Sequence, residues 1–181
     1  GGFTISPNYL KATVKFFNLI SIRSYFPFIF SDYFSNSEIL FSSCKFKNSL
    51  SSIIYLTKDN ILNLTNRVYN DESSSELNTY MESFSNSKSP SIIIENCLFQ
   101  DITGYNYGDH IGAVIRLIAS NCSGSVTILD SQFINCRSYG LSYTQNFGGG
   151  IYIETAGNQH FTINFRNLLF NKCNSYAGAA F

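Results

Sequence analysis

Charged residues are scarce in this sequence. Only 13% of its 181 residues are charged, against the roughly 25% usual in soluble domains, and 12 basic residues balance 12 acidic ones. The low, balanced charge excludes a basic arm that binds nucleic acid, and it also excludes a charge-rich disordered tail. Nucleic acid is therefore not among the expected partners.

Long apolar runs and helix-forming stripes are missing as well. No run approaches the ~20 residues that a membrane-spanning helix needs, so no membrane span is predicted in this segment. The first residues carry no basic stretch of the kind that opens a signal peptide. Proline occurs only 3 times, and the helix-forming residues build no long amphipathic stripe.

The abundant residues favour strands and turns. The 17 phenylalanines and 12 tyrosines suit pleated surfaces. Serine and asparagine are common, and their side chains bond nearby backbone in turns. The composition therefore predicts an all-β protein, and the length suits a single domain over residues 1–181.

A repeated apolar pattern runs through the chain. Four copies share an aromatic anchor and apolar residues seven and five positions before it. The predicted core positions are Phe46, Phe99, Phe133, Phe170, Ile94 and Ile128. A fifth, degenerate copy is assigned the anchor Leu19, with Ala12 and Val14 at the same two offsets.

The offsets predict two short strands separated by a bend. Positions −7 and −5 follow the two-residue period of a strand with one buried face, whereas the step from −5 to −2 is odd. An odd step requires a bend, and position −3 carries residues that favour one. These are Ser43, Asn96, Asp130 and Asn167. Stacked copies would align them in a side-chain ladder.

A third apolar strand follows each anchor after a polar, variable stretch. The clearest example is Gly148 to Ile153, which Gly112 to Leu117 and Ser51 to Leu56 resemble. Three short strands per repeat predict a right-handed parallel β-helix, a solenoid of about five coils. A β-sandwich or barrel is the competing fold, because it also contains many short strands.

The repeats resemble those of a known family. Phe46-Lys47-Asn48 and Phe133-Ile134-Asn135, each followed by a small-residue step, resemble the repeats of polymorphic outer-membrane protein passengers and of related protist surface proteins. That family's passengers are right-handed parallel β-helices that serve as surface adhesins. The resemblance implies a membrane-associated or secreted parent protein and an extracellular or cell-surface location.

An insertion and two incomplete ends interrupt the repeats. The anchors Phe46 and Phe99 lie 53 positions apart, and the extra length falls at residues 57–91. A loop of this length is either functional or disordered. Both ends of the sequence fall inside a repeat, so we expect a fragment of a longer solenoid, whose neighbouring coils belong to the same chain.

Cysteines, histidines and glycosylation triplets carry weak signals. The five cysteines lack zinc-site spacing, and no metal or other cofactor is predicted. Cys44 and Cys97 share one offset, and Cys136 and Cys173 share another, so each pair is either a buried stack of small side chains or a disulfide. The two histidines are expected to be structural or at the surface. Asn63 and Asn121 begin triplets that fit N-glycosylation acceptors.

Catalysis is the main alternative function, since many right-handed β-helices are polysaccharide lyases or hydrolases. That chemistry needs clustered carboxylates. The aspartates, among them Asp101, Asp109 and Asp130, fall at different offsets in the repeat. We therefore predict no catalytic residues.

Two tyrosine-rich loops carry the most suggestive binding pattern. They leave successive repeats at the same point and would stack into one ridge. The candidate ligand-binding residues are Tyr105, Tyr107, Asp109, Tyr139 and Tyr143. Tyrosine provides rigid amphipathic contact area, which suits a sugar ring or a partner protein. The sequence thus predicts adhesion or ligand presentation to a host-cell protein or glycan, with a carbohydrate-active enzyme and a purely structural stalk as alternatives.

Overall fold

The computed structural model describes residues 3–4, 12–25, 28–31, 37–57, 91–105, 114–118, 123–139, 148–155 and 160–175. Its regular elements over these ranges are all β-strands, and every strand pairing is parallel. The predicted all-β class is therefore confirmed.

The strands form three five-stranded sheets and one two-stranded sheet. The first sheet contains β1 (Phe3–Thr4), β4 (Ile29–Ser31), β7 (Ile54–Thr57), β11 (Ile115–Ile118) and β15 (Ile151–Glu154). The second contains β2 (Ala12–Phe17), β5 (Ser37–Ser42), β8 (Ser91–Glu95), β12 (Gly124–Leu129) and β16 (Phe161–Arg166). The third contains β3 (Ile20–Ile22), β6 (Lys45–Lys47), β9 (Leu98–Gln100), β13 (Gln132–Ile134) and β17 (Leu169–Asn171). The two-stranded sheet pairs β10 (Thr103–Tyr105) with β14 (Arg137–Tyr139).

Strands lie in chain order across each sheet. Each repeat therefore adds one strand to each of the three large sheets. The third strand of each repeat aligns as the sequence predicts, since Ile115 pairs with both Ile54 and Ile151. The small β10–β14 sheet is an addition that the three-strand pattern did not predict.

The register of the first repeat differs from the expected one. The anchor is Ser21, which pairs with Phe46, and not Leu19. Val14 and Phe16 accordingly pair with Ile39 and Phe41. A shift of two residues leaves the same face of a strand pointing inward, because side chains alternate with a period of two. The apolar pattern is therefore satisfied by either register.

Phe28 and β4 were not predicted from the sequence. The repeat pattern places no strand in the aromatic run from Tyr25 to Phe30, yet Ile29 pairs with Ile54. The buried Phe28 ring packs against Phe16, Phe41 and Phe46, with centroids 5.4, 6.3 and 5.2 Å away. These ring contacts fill the core beside a repeat whose own anchor, Ser21, is small.

The core consists of inward columns of equivalent side chains. The phenylalanine anchors stack with centroids 5.5 Å apart for Phe46–Phe99 and 4.9 Å apart for both Phe99–Phe133 and Phe133–Phe170. The first three rings are fully buried, and Phe170 packs against the core while remaining partly exposed. The side chains of Ile94 and Ile128 are also completely buried.

Two ladders of residues with positive φ mark the bends between strands. The first ladder, at position −3, is Asn18, Ser43, Asn96, Asp130 and Asn167, with φ between 49° and 56°. The second ladder, at position +2, is Arg23, Asn48, Asp101, Asn135 and Lys172, with φ between 51° and 62°. Asparagine and aspartate tolerate this left-handed conformation better than other residues with a Cβ. Four members of the first ladder were predicted from the sequence, whereas Asn18 and the second ladder were not.

Side-chain hydrogen bonds connect neighbouring members of both ladders. In the first, Asn96 Nδ2 donates to Ser43 Oγ at 3.2 Å, and Asn167 Nδ2 donates to Asp130 Oδ1 at 2.8 Å. In the second, Asn135 Nδ2 donates to Asp101 Oδ1 at 2.6 Å. The bends are therefore tied to one another along the stack.

A glycine permits the bend before β15. Gly148 has a φ of 56°, and a Cβ there would overlap the backbone carbonyl of Ile151. The position thus requires glycine both for its backbone conformation and for the close approach of the chain.

The two residues that bound the predicted insertion at 57–91 belong to strands, because Thr57 ends β7 and Ser91 begins β8. Residues 58–90 lie outside the described residues. The extra strand and helical turn suggested by Ile61 to Leu64 and Glu76 to Phe84 lie there too.

Candidate functional site

The strand residues that precede the two tyrosine-rich segments are neighbours in the structure. Strands β10 and β14 pair in parallel, and Tyr105 and Tyr139 are direct Cα partners at their ends. Adjacent parallel strands lie about 4.8 Å apart, so the two backbone positions are direct neighbours. The structure therefore brings together two of the five predicted ligand-binding positions.

The other predicted residues of this site lie outside the described residues: Tyr107, Asp109 and Tyr143. The same holds for both glycosylation candidates, Asn63 and Asn121, and for Cys122 and His110. His160 is exposed immediately before β16, in agreement with its expected place at the surface.

A polar cluster on the first sheet was not anticipated. Arg116 and Tyr152 are Cα partners on β11 and β15, and the Tyr152 hydroxyl donates a 2.8 Å hydrogen bond to Glu154 Oε2. Arg116 is only 3% exposed although it lies on a strand between Ile115 and Leu117, which are themselves buried. Both faces of β11 are therefore covered.

Burial dominates the electrostatics of this cluster. It raises the pKa of Tyr152 to about 12, with help from the hydrogen bond to Glu154, while Arg116 acts in the opposite direction. A guanidinium, a phenol and a carboxylate together are able to bind hydroxyl-rich ligands. Because Arg116 is buried, its guanidinium is not presented to a ligand, and the hydrogen bond of the cluster joins two residues of one strand, β15. The only indication of this cluster in the sequence is an arginine between apolar residues, Arg116 between Ile115 and Leu117.

The four described cysteines are free thiols and occupy equivalent places in two columns. The column at position −2 contains Leu19, Cys44 and Cys97 in neighbouring repeats. In the column at position +3, Cys136 and Cys173 are neighbours. Each thiol donates to the carbonyl two residues earlier and to a carbonyl of the preceding repeat, at 3.3–4.0 Å. This geometry agrees with the interpretation of the pairs as stacks of small buried side chains.

The described thiols differ in their pKa values. Burial raises the pKa of Cys97 to about 12. The interaction between the Cys136 and Cys173 sulfurs raises the pKa of the fully buried Cys136, as does its burial. The same interaction lowers the pKa of the half-buried Cys173 to about 7. Cys173 is therefore expected to be more reactive than Cys97.

The described carboxylates are dispersed. Asp101 belongs to the second ladder and accepts a hydrogen bond from Asn135. Asp130 belongs to the first ladder, where it also lies 3.7 Å from Arg166. Within the described ranges, no group of three or more His, Cys, Asp or Glu residues is placed to hold a metal ion, and no helix is long and apolar enough to cross a membrane.

Comparison with known proteins identifies no similar protein or structure. No protein-family model matches the chain, and neither the curated proteins nor the solved structures yield a significant match. A function for this chain must therefore be inferred from its residues and their geometry.

Proposed function

We propose that residues 1–181 form one segment of a right-handed parallel β-helix. The chain visits the first, second and third sheets in turn and then returns to the first, next to the strand it formed there before. A cyclic visit to three parallel sheets is the path of a coil, and the strand counts correspond to about five coils. The small β10–β14 sheet adds a fourth side to two of them.

The proposed role of this segment is non-catalytic adhesion or ligand presentation at a cell surface or outside the cell. The observation that carries it is the direct pairing of Tyr105 with Tyr139, which come immediately before residues 106–113 and 140–147 in the sequence. Hydrogen-bonded strands hold these two positions at a fixed spacing, so that weak contacts to a glycan or a host-cell protein would act together. The resemblance to passengers of polymorphic outer-membrane proteins supports the same role.

Binding to glycan arrays and to host cells tests this role. We expect Tyr105→Ala, Tyr107→Ala, Tyr139→Ala and Tyr143→Ala to reduce binding, and the combined variant to abolish it. Tyr25→Ala is a matched control, since Tyr25 is highly exposed but lies in a different repeat, on the other side of the inserted residues. Equal binding by the combined variant and by Tyr25→Ala, with strand content unchanged, would contradict the proposal.

Two alternatives predict different outcomes in the same experiment. A polysaccharide lyase or hydrolase would shorten the glycan it binds, and replacing Asp101 or Asp130 with Asn would stop the reaction. The separation of these two carboxylates into different ladders favours the non-catalytic role. A purely structural stalk would bind neither glycans nor cells.

A further inference from the structure

The outward face of the third sheet is apolar and basic in the first two repeats. Side chains alternate along each strand, so the buried Phe46 leaves Lys45 and Lys47 pointing outward on β6. On β3, Ile20 and Ile22 occupy the paired positions and are 64% and 57% exposed. Two aliphatic and two ammonium side chains therefore share one surface.

Two residues in the bends that follow these strands border this surface. Arg23, directly after β3, is exposed, and Leu50, three residues after β6, is 52% exposed. The set of six is called the basic apolar patch: Ile20, Ile22, Arg23, Lys45, Lys47 and Leu50.

The exposure of this patch does not depend on where the sequence begins. Strand β6 has a strand on each side, β3 and β9, and Lys45 is nevertheless exposed. Ile93 points outward from β8, which also lies between two strands, and is 37% exposed. A further coil beside β3 would add a strand in the plane of the sheet. It would reduce the exposure of Ile20 and Ile22 from the side without covering their outward face.

The charges of the patch are all of one sign. Residues 18–25 and 43–50, which comprise β3, β6 and the bends around them, contain three cations and no carboxylate. Within the described ranges, none of these three cations forms an ion pair. The first carboxylate in the same ladder as Arg23 is Asp101, which lies two repeats away. The complementary partner is therefore anionic.

The apolar side chains of the patch favour one kind of anionic partner. Strand β6 pairs with both β3 and β9, so this face offers side chains and no free backbone groups to an extended peptide. An acidic peptide would also place polar side chains against Ile20 and Ile22. A bilayer surface instead accepts aliphatic side chains among its acyl chains, while lysine and arginine extend to the phosphate groups.

From this combination of exposure and charge we infer that the basic apolar patch binds the surface of a bilayer that contains anionic phospholipid. Its isoleucines insert below the headgroups, and its three cations contact the lipid phosphates. The inference goes beyond the proposed function, because Tyr105 and Tyr139 belong to later repeats.

Cosedimentation with lipid vesicles tests the inference. We expect wild type to bind vesicles that mix phosphatidylcholine with phosphatidylserine, and to dissociate as the ionic strength rises. Vesicles of phosphatidylcholine alone should bind far less protein. Lys45→Gln combined with Lys47→Gln should weaken binding to the anionic vesicles about 30-fold, which corresponds to about fivefold for each cation lost near an anionic surface. Arg137→Gln combined with Lys172→Gln is the matched control, since it removes the same charge from exposed positions in later repeats.

A second pair of variants tests the apolar contribution. Ile20→Thr combined with Ile22→Thr keeps β-branched side chains on the strand and should weaken binding about tenfold. Ile93→Thr combined with Leu169→Thr removes two exposed apolar side chains outside the patch and should bind like wild type.

Three results would overturn the inference. The first is a wild type that does not bind the anionic vesicles, and the second is an equal loss of binding in the patch variants and their controls. The third is binding that requires the lysines but not the isoleucines and that extends to poly-L-glutamate, because the partner would then be an acidic protein segment. Far-UV circular dichroism verifies that each variant is folded, and Leu50→Ser replaces the isoleucine variant if that one loses strand content.

Discussion

Replacing a ring in the middle of the phenylalanine column is the most direct test of the core. Phe99 is fully buried, and its ring stacks on Phe46 at 5.5 Å and on Phe133 at 4.9 Å. Phe→Ala substitutions in cores cost about 3–5 kcal/mol, and each aromatic pair contributes about 0.5–1.5 kcal/mol beyond area burial. Because Phe99→Ala removes both stacks, we expect a loss near the upper end, about 4–5 kcal/mol.

Phe170→Ala is the control within the same column. Its ring stacks on Phe133 at 4.9 Å, but the side chain is only partly buried, so the cavity left behind is open to water. We expect about half the loss of Phe99→Ala, roughly 2 kcal/mol. Leu169→Ala, next to it on the outer face, should change stability by less than about 0.5 kcal/mol.

Urea unfolding followed by circular dichroism measures all three variants. Stacked repeats contact mainly their neighbours, so the m-value must be compared with that of wild type to detect partial unfolding. Losses of equal size for Phe99→Ala and Phe170→Ala would show that the column is not a continuous packed core, and the reasoning would fail.

Three further predictions concern the bends and the titrating groups. Asn96→Ala should destabilise the protein by about 1–2 kcal/mol, because alanine is strained at positive φ and the hydrogen bond to Ser43 is lost. Asn96→Gly should destabilise it less, because glycine adopts positive φ without strain. Urea unfolding of the two variants measures the difference. For Tyr152, burial raises the pKa from its ordinary value of 10 to about 12, so its contribution to stability is complete below pH 10 and declines as the pH rises towards 12. The stability of wild type should therefore fall relative to that of Tyr152→Phe across this interval, and parallel curves would contradict the assignment. At pH 8 an alkylating reagent should modify Cys173, whose pKa is lowered to about 7, well before Cys97, whose pKa is raised to about 12. Peptide mass spectrometry assigns the sites, and equal modification rates in the folded protein would refute the prediction.

Much of the strand arrangement was predictable because it depends on local patterns. Alternating apolar residues around Phe46, Phe99 and Phe133 indicated inward faces, and the odd step before each anchor indicated a bend. The polar residues at those bends, such as Asn96, indicated the first ladder. Shared offsets then implied parallel stacking, because only equivalent positions in stacked repeats have equivalent neighbours.

Features that depend on distant neighbours were not predictable. The Ser21 anchor was missed because a two-residue shift preserves the inward face, and Phe28 because its partners come from other strands. Arg116 and Tyr152 form a cluster only because β11 and β15 are adjacent, although 36 positions separate them in the sequence. The sequence indicated that the candidate ligand-binding segments are rich in tyrosine. Only the pairing of β10 with β14 showed that Tyr105 and Tyr139 are neighbours.

The sequence by itself therefore determined the inward residues around the four phenylalanine anchors and the bend before each anchor. These properties follow from side-chain alternation and from the backbone preferences of asparagine and aspartate. Only the tertiary structure decided the register of the first repeat, the packing of Phe28 and the covering of Arg116. Each of these depends on which strand lies beside which, and that choice is made by packing across the repeats and not within any one of them.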